Sequence, residues 1–278
     1  MTTSIASGLY AARPGSPSAG EFYFATDRYP GTMIVWDGTQ WLGSQGATRL
    51  ADGAAADIAW DMTTLDGFGK VPNTGTGAVG LTLTLGSEIR ERPSAFGTAR
   101  FVNDTSSSNG AMTSDTSDDG PATGDVTFEG WVQFLQTPAD ADYDILTRDS
   151  TLEIADHVAG GEHLPIAALN IAGGPGVVTV GGSGAAVIAA LGEGAWHHIA
   201  LVLDTVAAEL RIYADGAYVD TGAAVGATGV DWQAFPFIFG YTAASGNQAA
   251  RAAVVGWRVW ATALAEGELA DIYLRGIG

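Results

Sequence analysis

Trp196-His197-His198-Ile199-Ala200-Leu201-Val202-Leu203 and, a short connection later, Leu210-Arg211-Ile212-Tyr213-Ala214-Asp215-Gly216-Ala217-Tyr218-Val219 decide how this chain folds. The two apolar runs read as strands, with Val206-Ala207-Ala208 in the connection between them. Asp215-Gly216 turns the chain into a third strand. A type I′ turn needs positive φ at both central residues, and Asp-Gly between apolar runs supplies it. Successive side chains of a strand point to opposite faces, so the neighbours His197 and His198 are not placed to chelate one metal ion together.

Composition agrees with a chain of many strands and turns. With 39 glycines, only 15% charged residues and short apolar runs, the 278 residues suit one large all-β domain or two smaller ones. The 31 acidic and 12 basic residues give a net charge of −19, which argues against a broad basic face for nucleic acid or an anionic membrane. Such an acidic surface favours solubility and also leaves room for Ca²⁺, which takes carboxylate and carbonyl oxygens. Cysteine is absent, which excludes disulfides, thiolate nucleophiles and Cys-based zinc sites. No uninterrupted apolar run approaches the ~18 residues of a membrane span. Met1-Thr2-Thr3-Ser4-Ile5 lacks a basic or apolar leader pattern, so the expectation is a protein made in a cytoplasm without standard export.

Working outward, residues 1–18 hold two prolines among small residues and read as an extended arm. Residues 19–46 read as a β-meander: Glu21–Ala25, then Met33–Trp36, the turn Asp37-Gly38, and Gln40–Leu42. A meander of about 25 residues buries too little apolar area to stand alone. Phe22, Phe24, Trp36 and Trp41 are therefore the candidate attachment interface, toward a partner protein, copies of the chain, or its own following domain. Residues 47–56 read as a linker and 57–278 as the main β domain. Within it, Leu81–Leu85 alternates with period two, and Val126, Phe128, Val132 and Phe134 share one face of Val126–Phe134. Further strands are expected at Ala99–Val102, Val177–Val180, Phe237–Tyr241 and Ala253–Trp260. Residues 103–125 read as one long polar loop. A closing helix carries Leu269, Ile272 and Tyr273 at i, i+3 and i+4, with Gly276 as its stop.

The pattern W-H-H-x-A-x-V followed by L-R-x-Y-x-D-G-x-x-V resembles the central hairpins of the concanavalin A-like, laminin-G-like jelly-roll family. The motifs T-F-E-G-W-V before it and V-x-G-W-R-V-W-x-x-A-L after it occur in the same order. The resemblance implies a two-sheet antiparallel jelly-roll sandwich over 57–278, of a kind that mostly binds sugars or proteins without catalysis. It also implies a structural role for the His197-His198 pair. The earlier run A-R-P-G-x-P-x-A-G-E-F-Y-F-A-T-D, with I-V-W-D-G-T-Q-W-L-G, resembles a small module of bacteriophage tail-fibre and other virion proteins. W-D-G-x-x-W hairpins also arise elsewhere, so an ordinary hairpin packed on the main domain is the alternative.

Glycoside hydrolysis needs two carboxyl groups about 5–9.5 Å apart across one sugar bond. The E-x-D-x-x-E run that the hydrolase relatives carry is absent. Glu153 and Asp156 stand three apart, on opposite faces of a strand, and Glu266 and Glu268 read as solvated beside the closing helix. His157 and His163 read as loop residues near Glu162 and Asp156, either solvated or a transition-metal pair. The resemblance implies one Ca²⁺ at a sheet edge, for which Asp104, Asp115, Asp118 and Asp119 are the candidate ligands; EF-hand spacing is absent, and a solvated acidic loop is the alternative. Trp232, Tyr241 and Asn247 are the candidate ligand-binding residues, with core packing the alternative for Trp232. Trp131, Trp257 and Trp260 read as core.

The expectation is a non-enzymatic structural component of a tailed-phage or phage-like particle: a virion protein assembled in the bacterial cytoplasm. It would be a homo-oligomer, a trimer by resemblance to phage fibres. Other virion proteins would hold the N-terminal module, and a host-surface glycan or receptor would meet the jelly roll. A cellular glycan-binding or adhesion module is the alternative, and a glycoside hydrolase the third reading.

Overall fold

The computed structural model describes residues 56–277 except 64, 77–80, 95–96, 103–110, 115–123, 136–139, 188–189, 234 and 241–247, and also the strand segments 6–8, 22–25, 32–36 and 41–42. Strands β1 (Ala6–Gly8), β2 (Phe22–Ala25), β3 (Thr32–Trp36) and β4 (Trp41–Leu42) form one sheet in that order. The three meander strands pair antiparallel as expected, with Phe22 opposite Val35 and Trp36 opposite Trp41. The arm at 1–18 is not wholly extended coil: β1 pairs parallel with β2, Ala6 opposite Tyr23. A sheet edge presents unpaired N–H and C=O groups, and a short neighbouring segment satisfies them.

The remaining strands, in chain order, begin with β5 (Ile58–Trp60), β6 (Leu83–Leu85), β7 (Ile89–Ser94), β8 (Gly97–Val102), β9 (Ala111–Ser114), β10 (Val126–Phe134) and β11 (Ala141–Arg148). Next come β12 (Leu152–Ala159), β13 (Glu162–Ala172), β14 (Gly176–Gly181), β15 (Trp196–Asp204), β16 (Glu209–Ala214) and β17 (Ala217–Ala223). The last are β18 (Gly229–Val230), β19 (Ile238–Gly240), β20 (Gln248–Ala249) and β21 (Ala252–Trp260), followed by helix α1 (Glu266–Ile277). An eight-stranded sheet runs β17-β16-β15-β10-β21-β8-β7, with β5 also on β21. A nine-stranded sheet runs β14-β13-β12-β11-β19-β9-β6, with β18 on β13 and β20 on β11. The two pack face to face as the jelly-roll sandwich that the sequence implies.

The quoted stretch forms β15, β16 and β17 in the expected register. Ala214 faces Ala217 across a two-residue turn, with φ of 51° at Asp215 and 74° at Gly216. Strand β10 sits at the centre of its sheet, between β15 and β21, and all nine of its residues are buried. Its inward side chains, Phe128 among them, join a core in which the Trp60 ring meets Phe237 edge-on at 5.5 Å and Phe239 at 5.6 Å. Gly130 lies on this face where β21 bulges at Gly256 (φ 62°), and the Trp257 ring fills the space over it. A Cβ at Gly130 would lie 2.3 Å from that ring.

The outward face of the eight-stranded sheet carries α1, which meets β10 at Trp131. Leu269 and Ile272 pack with Ala200, Val202, Tyr213 and Trp260, and Tyr273 stacks on Trp131 at 5.9 Å. Gly276 does not stop the helix but lies inside its last turn. A Cβ there would lie 2.0 Å from the Trp131 ring, so glycine answers to close approach and not to a cap. Residues 103–125 are not one loop, because β9 lies within them and pairs with β19 and β6. Of the broad strands β11, β12 and β13, the sequence reads a strand only at Glu153–Asp156. Their buried polar residues, Asp144, Thr147, Arg148, Asp156 and His163, break the apolar alternation by which strands are read.

Two polar groups tie the sheets down. Glu129, wholly buried on the outward face of β10, accepts hydrogen bonds from Trp260 Nε1 (3.1 Å) and Arg258 Nη2 (3.2 Å) and pairs with His198 Nε2 (3.1 Å). Burial alone raises a carboxyl pKa, but the Arg258 charge and the His198 and Trp260 contacts outweigh it and hold Glu129 below its usual value. On the other face His197 sets Nδ1 against Asp215 (2.8 Å) and Nε2 against the Gly192 carbonyl (2.9 Å). Burial by itself opposes the charged ring, yet the hydrogen bond and charge of Asp215, with the Gly192 carbonyl, raise the His197 pKa above its usual value. As the sequence implies, the two histidines are structural and face opposite ways.

Three outcomes follow from this packing. Gly130→Ala costs about 1–3 kcal/mol or more through overpacking on Trp257, whereas Gly267→Ala, with nothing within 4 Å of the new Cβ, gains up to about 1 kcal/mol of helix propensity; denaturant midpoints read both. Glu129→Ala costs about 3–5 kcal/mol in the same measurement, because Arg258 and Trp260 lose a buried partner. His197 has a raised folded pKa, so its contribution is fully present below its unfolded value near 6.5 and is lost as pH rises through the folded value. Unfolding free energies of wild type and His197→Gln, compared from pH ~6 to ~8, therefore converge as pH rises.

Candidate functional site

The β11–β12 hairpin turns tightly at Asp149-Ser150, with Ser150 at φ 56° and the Thr151 N–H donating to the Arg148 carbonyl at 2.9 Å. Behind the turn the register sets Thr147 opposite Glu153, and Glu153 opposite Ala168, one row across β11, β12 and β13. On the next row Asn170 stands opposite Val177 of β14. These residues, with the turn Arg148–Leu152, line an open groove of about 190 Å³. It is smaller than the roughly 300–1,000 Å³ of a drug-sized pocket.

Its walls are fixed by a mesh of hydrogen bonds. Asn170 Nδ2 donates to the Ser150 carbonyl and to Asp231 Oδ2, each at 3.2 Å. The Asp231 N–H returns to the Asn170 carbonyl at 2.9 Å, and the Gln233 N–H donates to Thr151 Oγ1 at 3.1 Å. Arg148 is fully buried and donates Nε (3.2 Å) and Nη2 (2.9 Å) to the Gln233 carbonyl. Its guanidinium lies between the rings of Trp232 (4.9 Å) and Phe237 (4.8 Å), so cation–π contact replaces water on its faces. The groove thus offers the Ser150 hydroxyl, a carboxamide and two carboxylates beside an apolar patch of Ala168 and Val177, the last 65% exposed. Such a set can hydrogen-bond a small polyhydroxylated group while covering one apolar face of it.

Of the residues singled out in the sequence, Trp232 stands beside this groove, half-buried, with Phe128 at 6.0 Å, Phe237 at 6.1 Å and Arg148 on its ring. It forms the groove's backing within the core's margin. Tyr241, Asn247, Asp104, Asp115, Asp118 and Asp119 lie outside the described residues. Phe22, Phe24, Trp36 and Trp41 lie on β2, β3 and β4, and their side chains are outside the description.

His157 and His163 are not loop residues. They sit on the paired strands β12 and β13, joined by the tight Gly160-Gly161 turn. His163 Nδ1 meets Asp156 at 2.6 Å, both side chains are buried, and the His163 ring stacks on Phe134 at 4.4 Å. Burial raises the Asp156 pKa and outweighs the opposing contact with His163. His157 pairs separately with Asp142 at 2.6 Å. Among the described residues no group of three or more His, Asp or Glu converges on a metal position. Glu153 lines the groove while Asp156 is buried against His163, so this acid pair shares no face. The one sequence signal for the groove is the polar run Thr147–Thr151 between apolar segments, and alone it reads as a turn.

The family model described as the concanavalin A-like lectin/glucanases superfamily matches residues 104–270. A search of curated protein sequences finds no match. Among solved structures, the botulinum neurotoxin serotype G binding domain is similar at a TM-score of 0.56 and 12% identity, over 79% of this chain and 50% of that one. The binding domain of Paraclostridial Mosquitocidal Protein 1 gives 0.54 and 12%, over 79% and 52%. The serotype D ligand binding domain in complex with N-acetylneuraminic acid gives 0.55 and 7%, over 79% and 50%. The chain spans about half the length of these domains, and at such identities the likeness is one of fold. With the family model covering most of the sandwich, and two antiparallel sheets packed as that family packs them, the chain belongs to the concanavalin A-like lectin/glucanase superfamily.

Proposed function

We propose that this chain is a non-enzymatic binding component of a tailed-phage or phage-like particle, with the jelly roll offering its Thr147–Val177 groove to a host-surface glycan. The observation that carries the binding role is the groove itself: a prearranged set of hydroxyl, carboxamide and carboxylate groups around an apolar patch, open to solvent. Support for a binding role comes from the solved domains of similar fold, one of which is in complex with N-acetylneuraminic acid. The particle role rests on the resemblance of the A-R-P-G…W-D-G-T-Q-W segment to virion modules, a segment that forms a small sheet of its own. That module attaches the chain to the particle, as a trimer, through Phe22, Phe24, Trp36 and Trp41.

Val177→Asp lowers adsorption to host cells at least tenfold while the melting temperature holds, because this side chain is 65% exposed at the groove and not in the core. Unchanged adsorption would remove the groove from the reading. Trp36→Ala with Trp41→Ala separates attachment from folding. Incorporation into purified particles, followed by mass spectrometry, and the trimer mass in sedimentation are both lost, with the main melting transition unmoved. Normal incorporation would instead favour the adhesion module of a cell. Incubation with a polysaccharide panel yields no new reducing ends.

A further inference from the structure

The charges around the groove are one-sided. Asp149 and Glu153 line it, and Asp231 stands beside Asn170 at 3.2 Å. Arg148 is the single cation among the lining residues, and it is not presented to a ligand as a fork. Recognition of a carboxylate by arginine uses two parallel N–H groups on one edge. Here Nε and Nη2, the two nitrogens of one such edge, both point at the Gln233 carbonyl, and Trp232 and Phe237 cover the faces. Its charge therefore holds the segment Asp231–Gln233 in place, whereas Asp149 and Glu153 line the groove. The net charge of −19 adds repulsion at long range against any anion that approaches.

We infer that the groove accepts an uncharged or amino-bearing pyranose and rejects sugars that carry a carboxylate. This rests on the reading of the groove as a saccharide site and adds its selectivity. The apolar ring face lies on Ala168 and Val177, hydroxyls meet Ser150 and the Asn170 carboxamide oxygen, and a protonated amine is drawn to Asp149 and Glu153. A sugar carboxylate in the same position meets two like charges, and among the described lining residues the one cation, Arg148, is turned to the Gln233 carbonyl. By this chemistry N-acetylneuraminic acid, the ligand in the serotype D structure, is a poor ligand here.

The test titrates the full chain with glucose, glucosamine, glucuronic acid and N-acetylneuraminic acid, by calorimetry and saturation-transfer NMR. Glucosamine and glucose bind at least tenfold more tightly than either acid at low salt, and the gap narrows at high salt, where surface charges are screened. Asp149→Asn with Glu153→Gln raises the affinity for glucuronic acid relative to glucose about tenfold, because the two like charges are removed while amides keep an acceptor at each position. Asp149→Asn alone, at the surface turn, gives the same direction if the double variant loses stability. Glucuronic or N-acetylneuraminic acid binding as tightly as glucose overturns the selectivity while leaving a saccharide site. No binding of any of the four sugars at millimolar concentration, with Val177→Asp indistinguishable from wild type, overturns the saccharide reading and the selectivity together.

Discussion

Strand β10 has no face for water. Inward it meets the second sheet, and outward Trp131 lies under α1, Thr127 bonds the Thr262–Leu264 segment and Gln133 bonds Gly194. A strand buried on both sides has to be apolar or fully paired, yet this one carries Thr127, Glu129 and Gln133 along its outward row. Glu129 makes that arrangement stable only because β15 and β21 bring His198, Arg258 and Trp260 to it. The neighbours of β10 in the sheet are therefore chosen by its chemistry as well as by its shape. The Trp257 ring over Gly130 performs the matching task on the inward side, where the bulge at Gly256 sets the ring over the one residue with room for it. Together these contacts fix β10, β15 and β21, and the rest of the eight-stranded sheet is built outward from them.

How much of this was legible follows from how local each signal is. The β15–β17 hairpins were readable because period-two runs and an Asp-Gly turn are complete within about 25 residues. The strands of the N-terminal meander were readable for the same reason, while the parallel pairing of β1 was not, since three small residues carry no alternation. Strands β11 to β13 are legible only at Glu153–Asp156, because their buried polar residues are satisfied by partners known only after folding: Arg148 by the Gln233 carbonyl and two rings, Asp156 by His163. Gly276 was misread because a glycine near a helix end signals a cap far more often than contact with a tryptophan from another strand. The groove was out of reach for the same cause. Thr147, Glu153, Ala168, Asn170 and Val177 become neighbours only through the register of four strands.

That origin bears on how the site works. Most of its residues stand on strands, and the one turn that contributes is tied to the segment Asp231–Gln233 by hydrogen bonds from Asn170 and to Thr151. A ligand would meet groups already in position, so little ordering opposes its binding. Likeness of fold to neurotoxin binding domains concerns the scaffold alone, and the groove's chemistry is local to this chain.

The position of β10 between β15 and β21 also sets the order in which the chain can be completed. Its partner β21 lies more than a hundred residues further along, and β5, near the start of the sandwich, pairs with β21 as well. As the chain leaves the ribosome, the middle of the eight-stranded sheet stays open until Ala252–Trp260 has emerged, and Trp131 stays wet until α1 follows. Pairings of such long range close slowly. Until then an apolar strand edge and the carboxylate of Glu129 are both uncovered, and the nascent protein is at its most vulnerable to aggregation and proteolysis just before synthesis passes the last strand.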